Sequence, residues 1–188
     1  MSLHPRQGCY IPAFRSSNTN LSLSHSLHYA LLLTFRRVRF DKQDWEAYAH
    51  FDASRHYTRN LIATDHVSYT LLLLCWNPGQ ESPIHDHPCD GCWMEVLQGQ
   101  IQECRYRTSV KGKGTKLECT QDKTFDEGGI VFIEDSQGLH KVGNPGTRPA
   151  VTMHLYSPPF QSCKIWLDET KQPSKSSICH YSEYGRLV

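Results

Sequence analysis

The chain has 188 residues, with 20 Lys and Arg, 19 Asp and Glu, and a formal net charge of +1. This length is sufficient for one domain with its own hydrophobic core. A nearly neutral chain has no overall field that would attract nucleic acid or an anionic membrane. We therefore expect neither kind of partner, and we look for function in a local site.

Residues 1 to 40 differ in composition from the rest of the chain, because no Asp or Glu occurs before Asp41 while arginine and serine are frequent. This composition is typical of a mitochondrial transit peptide. The apolar run Ala30–Phe35 is too short to span a bilayer, and Arg36–Arg37 follows where a secretory cleavage site would need small residues. We interpret residues 1–40 as a divergent leader without a targeting role and residues 41–188 as one cytoplasmic globular domain; mitochondrial import is the alternative.

The eight cysteines are even in number, so they would suffice for a disulfide framework in a secreted protein. Cys89 and Cys92 form a single C-x-x-C without the second pair that a zinc knuckle needs. Because the chain carries no secretory signal pattern, we expect reduced thiols in an intracellular protein.

The first predicted element of the domain is a short helix over Asp44–Phe51, with Asp44 as its N-cap and aromatic side chains at helical spacing. The segment Tyr57–Ile62 fits either a turn of helix or a loop, and periodicity does not decide between them. Tyr69–Trp76 is an apolar run rich in strand formers, and Pro78–Gly79 turns the chain after it.

The remainder of the domain predicts short β-strands separated by turns that contain glycine or proline. No alternation of strands with helices occurs after residue 66, which argues against a parallel sheet. The pattern therefore predicts a barrel or a sandwich. The strand candidates are Cys92–Leu97, Ile101–Arg107, Lys116–Thr120, Ile130–Ile133, Val151–Tyr156 and Lys164–Leu167, with Ile178–Tyr181 as an edge strand after a loop at Pro173–Ser177.

His85 and His87 stand two residues apart in the segment Pro83–Trp93. If that segment is extended, both imidazoles project from one face and can reach the same metal ion. Imidazole suits iron, copper, nickel and zinc. A chance pair is the alternative, because the chain contains 11 His.

The surroundings of these histidines resemble the first metal motif of the cupin superfamily, with His85 ahead of a strand-like run that starts at Cys92 and ends at Gly99. Gly138–Asn144 resembles the second motif in its H-x-x-x-N part and makes His140 the third ligand. The resemblance implies a mainly β fold, a jelly-roll-like antiparallel β-barrel with a few short N-terminal helices. Most metal-binding cupins have a glutamate where this chain has Cys92, so the metal would keep its full charge for an incoming anion such as a thiolate.

The segment Val151–Phe160 alternates in polarity. In a strand, Thr152, His154 and Tyr156 face one way, and the apolar residues between them face the other. A column of polar groups opposite an apolar face predicts a polar cavity. The interior of a barrel that holds a metal ion is such a place.

Several segments together resemble cysteine dioxygenase, a family of non-haem iron thiol dioxygenases with a cupin fold, from about residue 44 to the C-terminus. They are Tyr57–Leu61, Ser82–His87, Cys92, Leu97–Gly99, Gly138–His140 and His154–Phe160. The resemblance implies Fe(II), one ion per chain, with His85, His87 and His140 as its ligands. It also implies a thioether cross-link between Cys92 and Tyr156.

The same resemblance implies that Arg59 and Tyr57 bind substrate, and that Tyr156, Cys92 and His154 are the catalytic residues. Arg59 would pair bidentately with a substrate carboxylate, which a lysine cannot do. Three facial histidines on a six-coordinate ferrous ion leave positions for the cysteine thiolate, its amine and dioxygen. The implied activity is the oxidation of L-cysteine by dioxygen to cysteine sulfinic acid, carried out by a monomer.

Two other functions stay open at this point. The first is dioxygenation of a different small thiol, such as a mercaptopropionate, although Arg59 favours an α-amino acid carboxylate bound beside the metal. The second is a non-catalytic cupin that stores or senses a metal or small ligand. That function would leave Cys92, His154 and Tyr156 without a shared purpose.

Overall fold

The structure, a computed structural model, describes Leu33, Arg37, Val38 and residues 40–111, 114–170 and 172–188. Arg39–Val188 forms one compact unit. The predicted leader at residues 1–40 lies almost entirely outside the described residues. Within the described ranges, no helix is both long enough and apolar enough to cross a membrane.

Short helices and many strands make up the described chain. The helix α1 spans Lys42–Trp45, and 3-10 helices span Glu46–Tyr48 and Asp135–Gln137. The strands are β1 Thr58–Thr64, β2 Thr70–Trp76, β3 Ile84–His85, β4 Gly91–Gln98, β5 Gln100–Lys111, β6 Gly114–Asp126, β7 Ile130–Ile133, β8 Leu139–Gly143, β9 Ala150–Ser157, β10 Ser162–Trp166, β11 Ser174–Ser177, β12 Ser182–Glu183 and β13 Arg186–Leu187.

These strands form two sheets. The order in the first sheet is β13-β12-β1-β2-β9-β4-β7, and the order in the second is β11-β10-β3-β8-β5-β6. Neighbouring strands run antiparallel, except for β1 and β12, which are parallel. The predicted mainly β cupin architecture with a few short helices is therefore confirmed, with one parallel pair in an otherwise antiparallel fold.

The hydrophobic core lies between the two sheets, because both sheets contribute to it. Leu72, Leu74 and Met94 come from the first sheet, and Ile101 and Val142 come from the second. None of these side chains is more than 3% exposed. Full burial of one such side chain stabilises the folded state by about 1.5–3 kcal/mol, so this layer is a main source of the stability of the fold.

The helix α1 begins earlier and is shorter than the predicted helix over Asp44–Phe51. It covers Lys42–Trp45 and continues as the 3-10 helix Glu46–Tyr48, and its N-cap is Asp41 rather than Asp44. The carboxylate of Asp44 accepts a hydrogen bond from the Asp41 backbone N–H at 2.8 Å, which is one half of a capping box. Aspartate is suited both to the N-cap, which is Asp41, and to the N3 position, which is Asp44. This explains why Asp44 was wrongly predicted as the N-cap.

Periodicity left the segment Tyr57–Ile62 between helix and loop, and the structure shows that all of it except Tyr57 belongs to strand β1. Asn60 at its centre is fully buried. Its amide donates to the Leu73 carbonyl at 3.2 Å, and its side-chain oxygen accepts from the Ser182 hydroxyl at 2.7 Å. A polar side chain that is satisfied inside the sheet breaks the apolar alternation by which a strand is recognised.

The C-terminal tail also differs from the prediction. The predicted loop Pro173–Ser177 supplies β11, whereas the predicted edge strand Ile178–Tyr181 is not a strand. An edge strand needs pairing on one side only, so serine-rich sequence can fill that place. Beyond it, the Tyr181 N–H donates to the carbonyl of Arg59 at 2.7 Å. The tail therefore holds β1 in place at the predicted substrate-binding arginine.

Gly138 allows the close approach of β8 to β5. Its φ is +98°, and a Cβ at this position would lie 2.7 Å from the carbonyl oxygen of Tyr106. Glycine tolerates both the positive φ and the short contact because it has no side chain. The residue therefore brings His140, two positions further along, against the face of β5.

Candidate active site

Three histidines meet in the interior of the fold. His85 on β3 is paired directly with His140 on β8, and His87 lies two residues beyond His85. The ring centroids are 4.9 Å apart for His85 and His87, 4.7 Å for His85 and His140, and 4.6 Å for His87 and His140. In the part of the chain that the structure describes, this is the only group of three or more His, Cys, Asp or Glu residues with metal-ligand spacing.

His85 and His87 converge by a different route from the predicted single extended strand. Strand β3 ends at His85, and His87 lies in the loop that follows. The Cys89 N–H donates to the His87 carbonyl at 2.7 Å and bends the chain there. Pro88 has no N–H to donate to a neighbouring strand, so the ladder cannot continue. The structure brings the two rings together as expected, but not by alternation along one strand.

Hydrogen bonds orient two of the three rings. His85 Nδ1 lies 2.9 Å from the Pro83 carbonyl oxygen, and His140 Nδ1 lies 2.8 Å from Glu103 Oε1. Each of these bonds leaves Nε2 free for a metal ion. His87 Nδ1 is buried and has no hydrogen-bond partner among the described residues. Buried polar atoms seldom lack a partner, and His87 therefore has a ring nitrogen left for a metal ion beside the Nε2 atoms of His85 and His140.

The protonation states of the histidines also fit a metal centre. Burial lowers the pKa of His85 to about 4. Burial, together with the neighbouring imidazoles, holds the pKa of His87 and of His140 well below the ordinary value. All three rings are therefore neutral at pH 7, which is the form that binds a metal ion.

Glu103 is a member of the site that the sequence analysis missed. It lies on β5 and is fully buried. Its Oε1 accepts from His140 Nδ1 at 2.8 Å, and its Oε2 accepts from Arg105 Nε at 3.0 Å. Burial raises the pKa of Glu103, and the Arg105 guanidinium opposes that rise. The available signal was a carboxylate on the same strand face as the core residue Ile101.

The polar column on β9 is held together by hydrogen bonds. Trp76 Nε1–H donates to Thr152 Oγ1 at 2.9 Å, and Thr152 Oγ1 lies 2.8 Å from His154 Nε2. The indole N–H takes one acceptor site of the Thr152 hydroxyl. Among the described residues, the only other partner of this hydroxyl is His154 Nε2, so its own proton is satisfied by donation to that nitrogen. Burial lowers the pKa of His154 to about 3, so the ring is neutral and its proton is on Nδ1.

The direction of these bonds determines the role of Tyr156. His154 Nδ1 lies 3.4 Å from the Tyr156 hydroxyl oxygen, which therefore accepts. The proton of the Tyr156 hydroxyl then points away from His154, where the Cys92 sulfur is one acceptor within reach. Burial raises the pKa of Tyr156 well above the ordinary value, so the phenol keeps that proton at pH 7.

Cys92 on β4 stands directly opposite Tyr156 on β9. Its sulfur lies 3.9 Å from His154 Nδ1, close to the hydroxyl of the tyrosine. Burial raises the pKa of Cys92 well above the ordinary value, so it is a thiol rather than a thiolate. All the described cysteines are free.

Arg59 and Tyr57, the predicted substrate-binding pair, contact each other at the start of β1. Arg59 Nη2 donates to the Tyr57 hydroxyl at 2.5 Å, and the guanidinium carbon lies 5.1 Å from the centroid of the Tyr57 ring. The Tyr57 ring stacks on Trp76 with centroids 4.5 Å apart. After burial, the charge of Arg59 is a further cause of the lowered pKa of His154, which places the guanidinium near the polar column.

Phe160 covers one side of the cluster. Its ring centroid lies 6.4 Å from that of His87 and 5.1 Å from that of Tyr156, edge-on to both. An apolar ring at this position keeps water away from the neighbouring imidazole and phenol, which strengthens the electrostatic interactions between them.

A two-sheet, largely antiparallel β-fold around three convergent neutral histidines defines a cupin with a candidate metal centre. Residues 30–169 match the family Cysteine dioxygenase type I, and the chain belongs to that family. The resemblance to cysteine dioxygenase is therefore confirmed.

Individual relatives agree with this assignment. The chain is 38% identical to Cysteine dioxygenase type 1 of Danio rerio over 144 residues, which cover 76% of this chain and 71% of that protein. It is 37% identical to Cysteine dioxygenase type 1 of Homo sapiens over 146 residues, which cover 77% of this chain and 72% of that protein. The crystal structure of an rmlc-like cupin protein from Desulfovibrio desulfuricans superposes with a TM-score of 0.48 at 15% identity, covering 65% of this chain and 100% of that chain.

Proposed function

We propose that this protein oxidises L-cysteine with dioxygen to cysteine sulfinic acid at a ferrous ion held by His85, His87 and His140. The observation that carries the proposal is the convergence of three neutral imidazoles, two of them buried and one half-buried, whose ligand atoms all lie within 4.8 Å of one another. Membership of the cysteine dioxygenase family supports cysteine as the substrate and an oxygenase as the class of enzyme.

The donor set fits iron in its ferrous state. Three neutral nitrogens leave a divalent ion with its full charge, and imidazole is a good ligand for iron. When bound, the ferrous ion supplies open positions for the substrate and dioxygen and the electrons that activate dioxygen. In the overall reaction R–SH + O₂ gives R–SO₂H, so both oxygen atoms go to sulfur and no external reductant is needed.

Arg59 and Tyr57 bind the carboxylate of the substrate in this proposal. One guanidinium nitrogen is engaged by the Tyr57 hydroxyl at 2.5 Å, which leaves the other N–H groups for a bidentate pair with a carboxylate. The stacking of Tyr57 on Trp76 fixes the tyrosine, and through it the arginine. The carboxylate of the bound cysteine is thereby held at a fixed distance from the three histidines. The thiol of the same cysteine molecule is then directed to the metal site.

Tyr156 and His154 control a proton beside the reacting sulfur. In this proposal His154 donates to the Tyr156 oxygen, so the phenol proton is not used by His154 and is available to the substrate. A phenol O–H in that position can hydrogen-bond to an oxygen atom during its transfer to sulfur. Cys92 contributes by fixing the tyrosine ring through the thioether cross-link, and it does not bind the metal.

One experiment on purified protein tests the proposal. Apo-protein is loaded with Fe(II) under anaerobic conditions, and oxygen uptake and sulfinate formation are measured with L-cysteine and with a mercaptopropionate. We expect one Fe(II) per chain and uptake of one dioxygen for each sulfinate formed with cysteine. Preference for the mercaptopropionate would identify a dioxygenase of another small thiol. Iron binding without oxygen uptake would identify a non-catalytic cupin. The monomeric state and the cytoplasmic location stay predictions.

A further inference from the structure

Arg105 makes three directional contacts beside the metal centre. Its Nε donates to Glu103 Oε2 at 3.0 Å, its Nη1 donates to Gln137 Oε1 at 2.9 Å, and its Nη2 donates to the Phe132 carbonyl at 2.9 Å. The side chain is largely covered, with 21% of its surface exposed. A guanidinium with all of its nitrogens engaged is held in one orientation.

The three partners belong to different parts of the site. Glu103 contacts the ring of His140. Gln137 ends the 3-10 helix that leads through Gly138 into β8, the strand of His140. Phe132 lies on β7 in the first sheet, whereas Glu103 and His140 lie in the second. The guanidinium therefore bridges the two sheets at the point where one of the metal ligands is oriented.

We propose that Arg105 is a positioning residue of the metal centre, which fixes the Glu103 carboxylate so that this carboxylate holds the His140 ring in the orientation for metal binding. The inference rests on the three-histidine metal site proposed above. Arg105 touches neither the metal nor the substrate in this arrangement, and it orients the His140 ring through Glu103.

The physical basis is that each oxygen of the Glu103 carboxylate accepts a hydrogen bond from a different residue. Oε1 accepts from His140 and Oε2 accepts from Arg105. The bond to Arg105 therefore prevents the carboxylate from rotating away from His140. Charge-assisted hydrogen bonds are the strong ones in proteins, and loss of one partner leaves a buried oxygen unsatisfied. A lysine would keep the charge, but a single ammonium group cannot serve three acceptors that lie in different directions.

The test is a metal titration that needs no turnover. Apo-protein is titrated anaerobically with Co(II), whose visible spectrum reports its coordination, and the dissociation constant is measured for wild type, Arg105→Gln and Arg105→Lys. Changes to groups that orient metal ligands cost about tenfold to a hundredfold in metal affinity, and we expect a loss of that size for Arg105→Gln. We expect a smaller loss for Arg105→Lys. The matched control is Arg107→Gln, an exposed arginine on the same strand, which should bind as wild type does.

A double variant separates positioning from general stability. If Arg105 acts through Glu103, the variant with both Arg105→Gln and Glu103→Gln should bind Co(II) no more weakly than Glu103→Gln alone. Additive losses, or wild-type affinity in Arg105→Gln, would overturn the inference; if Arg105→Gln fails to fold, wild-type affinity in Arg105→Lys would do so. A wild-type chain that bound no Co(II) would reject the metal site itself, which is a different result from an unaffected Arg105 variant.

Discussion

Cys92 and Tyr156 form a directly opposed pair on the adjacent antiparallel strands β4 and β9. The β-carbons of such a pair lie about 4.5–5.5 Å apart, so the sulfur can reach the edge of the phenol ring. His154 Nδ1 lies 3.9 Å from the sulfur and 3.4 Å from the hydroxyl, and it holds both groups at one place. A thioether can therefore form without a shift of either strand.

We expect protein that has turned over to contain a thioether between the Cys92 sulfur and the Tyr156 ring. One hydrogen is lost from each partner, and dioxygen, which the proposed reaction already uses, accepts the two electrons and two protons. Mass spectrometry of a reduced digest should show the two peptides joined and lighter than their sum by two hydrogen atoms. A fraction of molecules will lack the bond, since turnover itself makes it.

Variants of the neighbouring residues check this assignment. Cys89→Ser should retain the cross-link, because Cys89 is also buried but does not stand opposite Tyr156. Cys92→Ser should give only the un-cross-linked chain, with reduced activity. Tyr156→Phe should lose more activity, since it removes both the bond and the hydroxyl. If Cys92 is completely alkylated in a fully active preparation that has turned over, the cross-link is ruled out. The proposed three-histidine metal site would not be affected by that result.

The second prediction concerns the third histidine. His140→Ala should abolish both bound iron and activity, because two imidazoles alone cannot hold the ion against water. Metal analysis of the purified variant measures the first effect. His180→Ala is the control, since His180 pairs with Glu183 at 2.8 Å in the C-terminal tail, outside the three-histidine group. Full iron content in His140→Ala would exclude His140 as a ligand and favour His154 in its place.

The third prediction concerns Arg59. Arg59→Lys keeps the positive charge but removes the bidentate geometry, so the efficiency with L-cysteine should fall. A charge-assisted pair contributes about 1.5–3 kcal/mol, which corresponds to a loss of about tenfold to a hundredfold in kcat/KM. Arg55→Lys, an exposed arginine over the Tyr181 ring, is the control and should change little. Wild-type kinetics in Arg59→Lys would leave the carboxylate assignment without support.

Local sequence patterns were sufficient to predict β2 and β9, two of the strands that line the site. The apolar run of β2 was recognised by its strand-forming residues and the turn that follows it. The alternation of β9 follows from the rule that successive side chains of a strand point to opposite faces. That rule brought Thr152, His154 and Tyr156 to one face, and the structure links them by hydrogen bonds. The metal ligands needed more than local pattern, since the resemblance to a known family selected His140 among many histidines.

The parts that escaped prediction depend on contacts between distant residues. Glu103 orients His140 across 37 positions of sequence, because β5 and β8 are neighbours in the second sheet. Arg105 reaches Phe132 in the other sheet. The strand face that Glu103 shares with Ile101 is a local sign of burial, but no local pattern shows which distant residue Glu103 or Arg105 contacts. Strand β1 was missed for a related reason, as the buried Asn60 interrupts its apolar pattern.

The last prediction concerns the Thr152 hydroxyl, which sets the nitrogen of His154 that carries the proton. The hydroxyl accepts from Trp76 at 2.9 Å and lies 2.8 Å from His154 Nε2, to which it donates. Thr152→Val keeps the shape of the side chain but removes this donor. His154 can then carry its proton on Nε2, and it would no longer donate to the Tyr156 hydroxyl.

We expect Thr152→Val to lower kcat more than it raises the KM for cysteine. The donor to His154 is lost, whereas Tyr57 keeps its stacking on Trp76 even though the Trp76 N–H loses its acceptor. The net contribution of one hydrogen bond is about 0.5–1.5 kcal/mol, which corresponds to a loss of about twofold to tenfold. Thr152→Ser keeps the hydroxyl and is the matched control, so its kcat should stay close to that of wild type. Steady-state oxygen uptake at several cysteine concentrations separates kcat from KM. An equal loss in both variants would trace the effect to packing, and an unchanged kcat in Thr152→Val would remove His154 from the control of Tyr156.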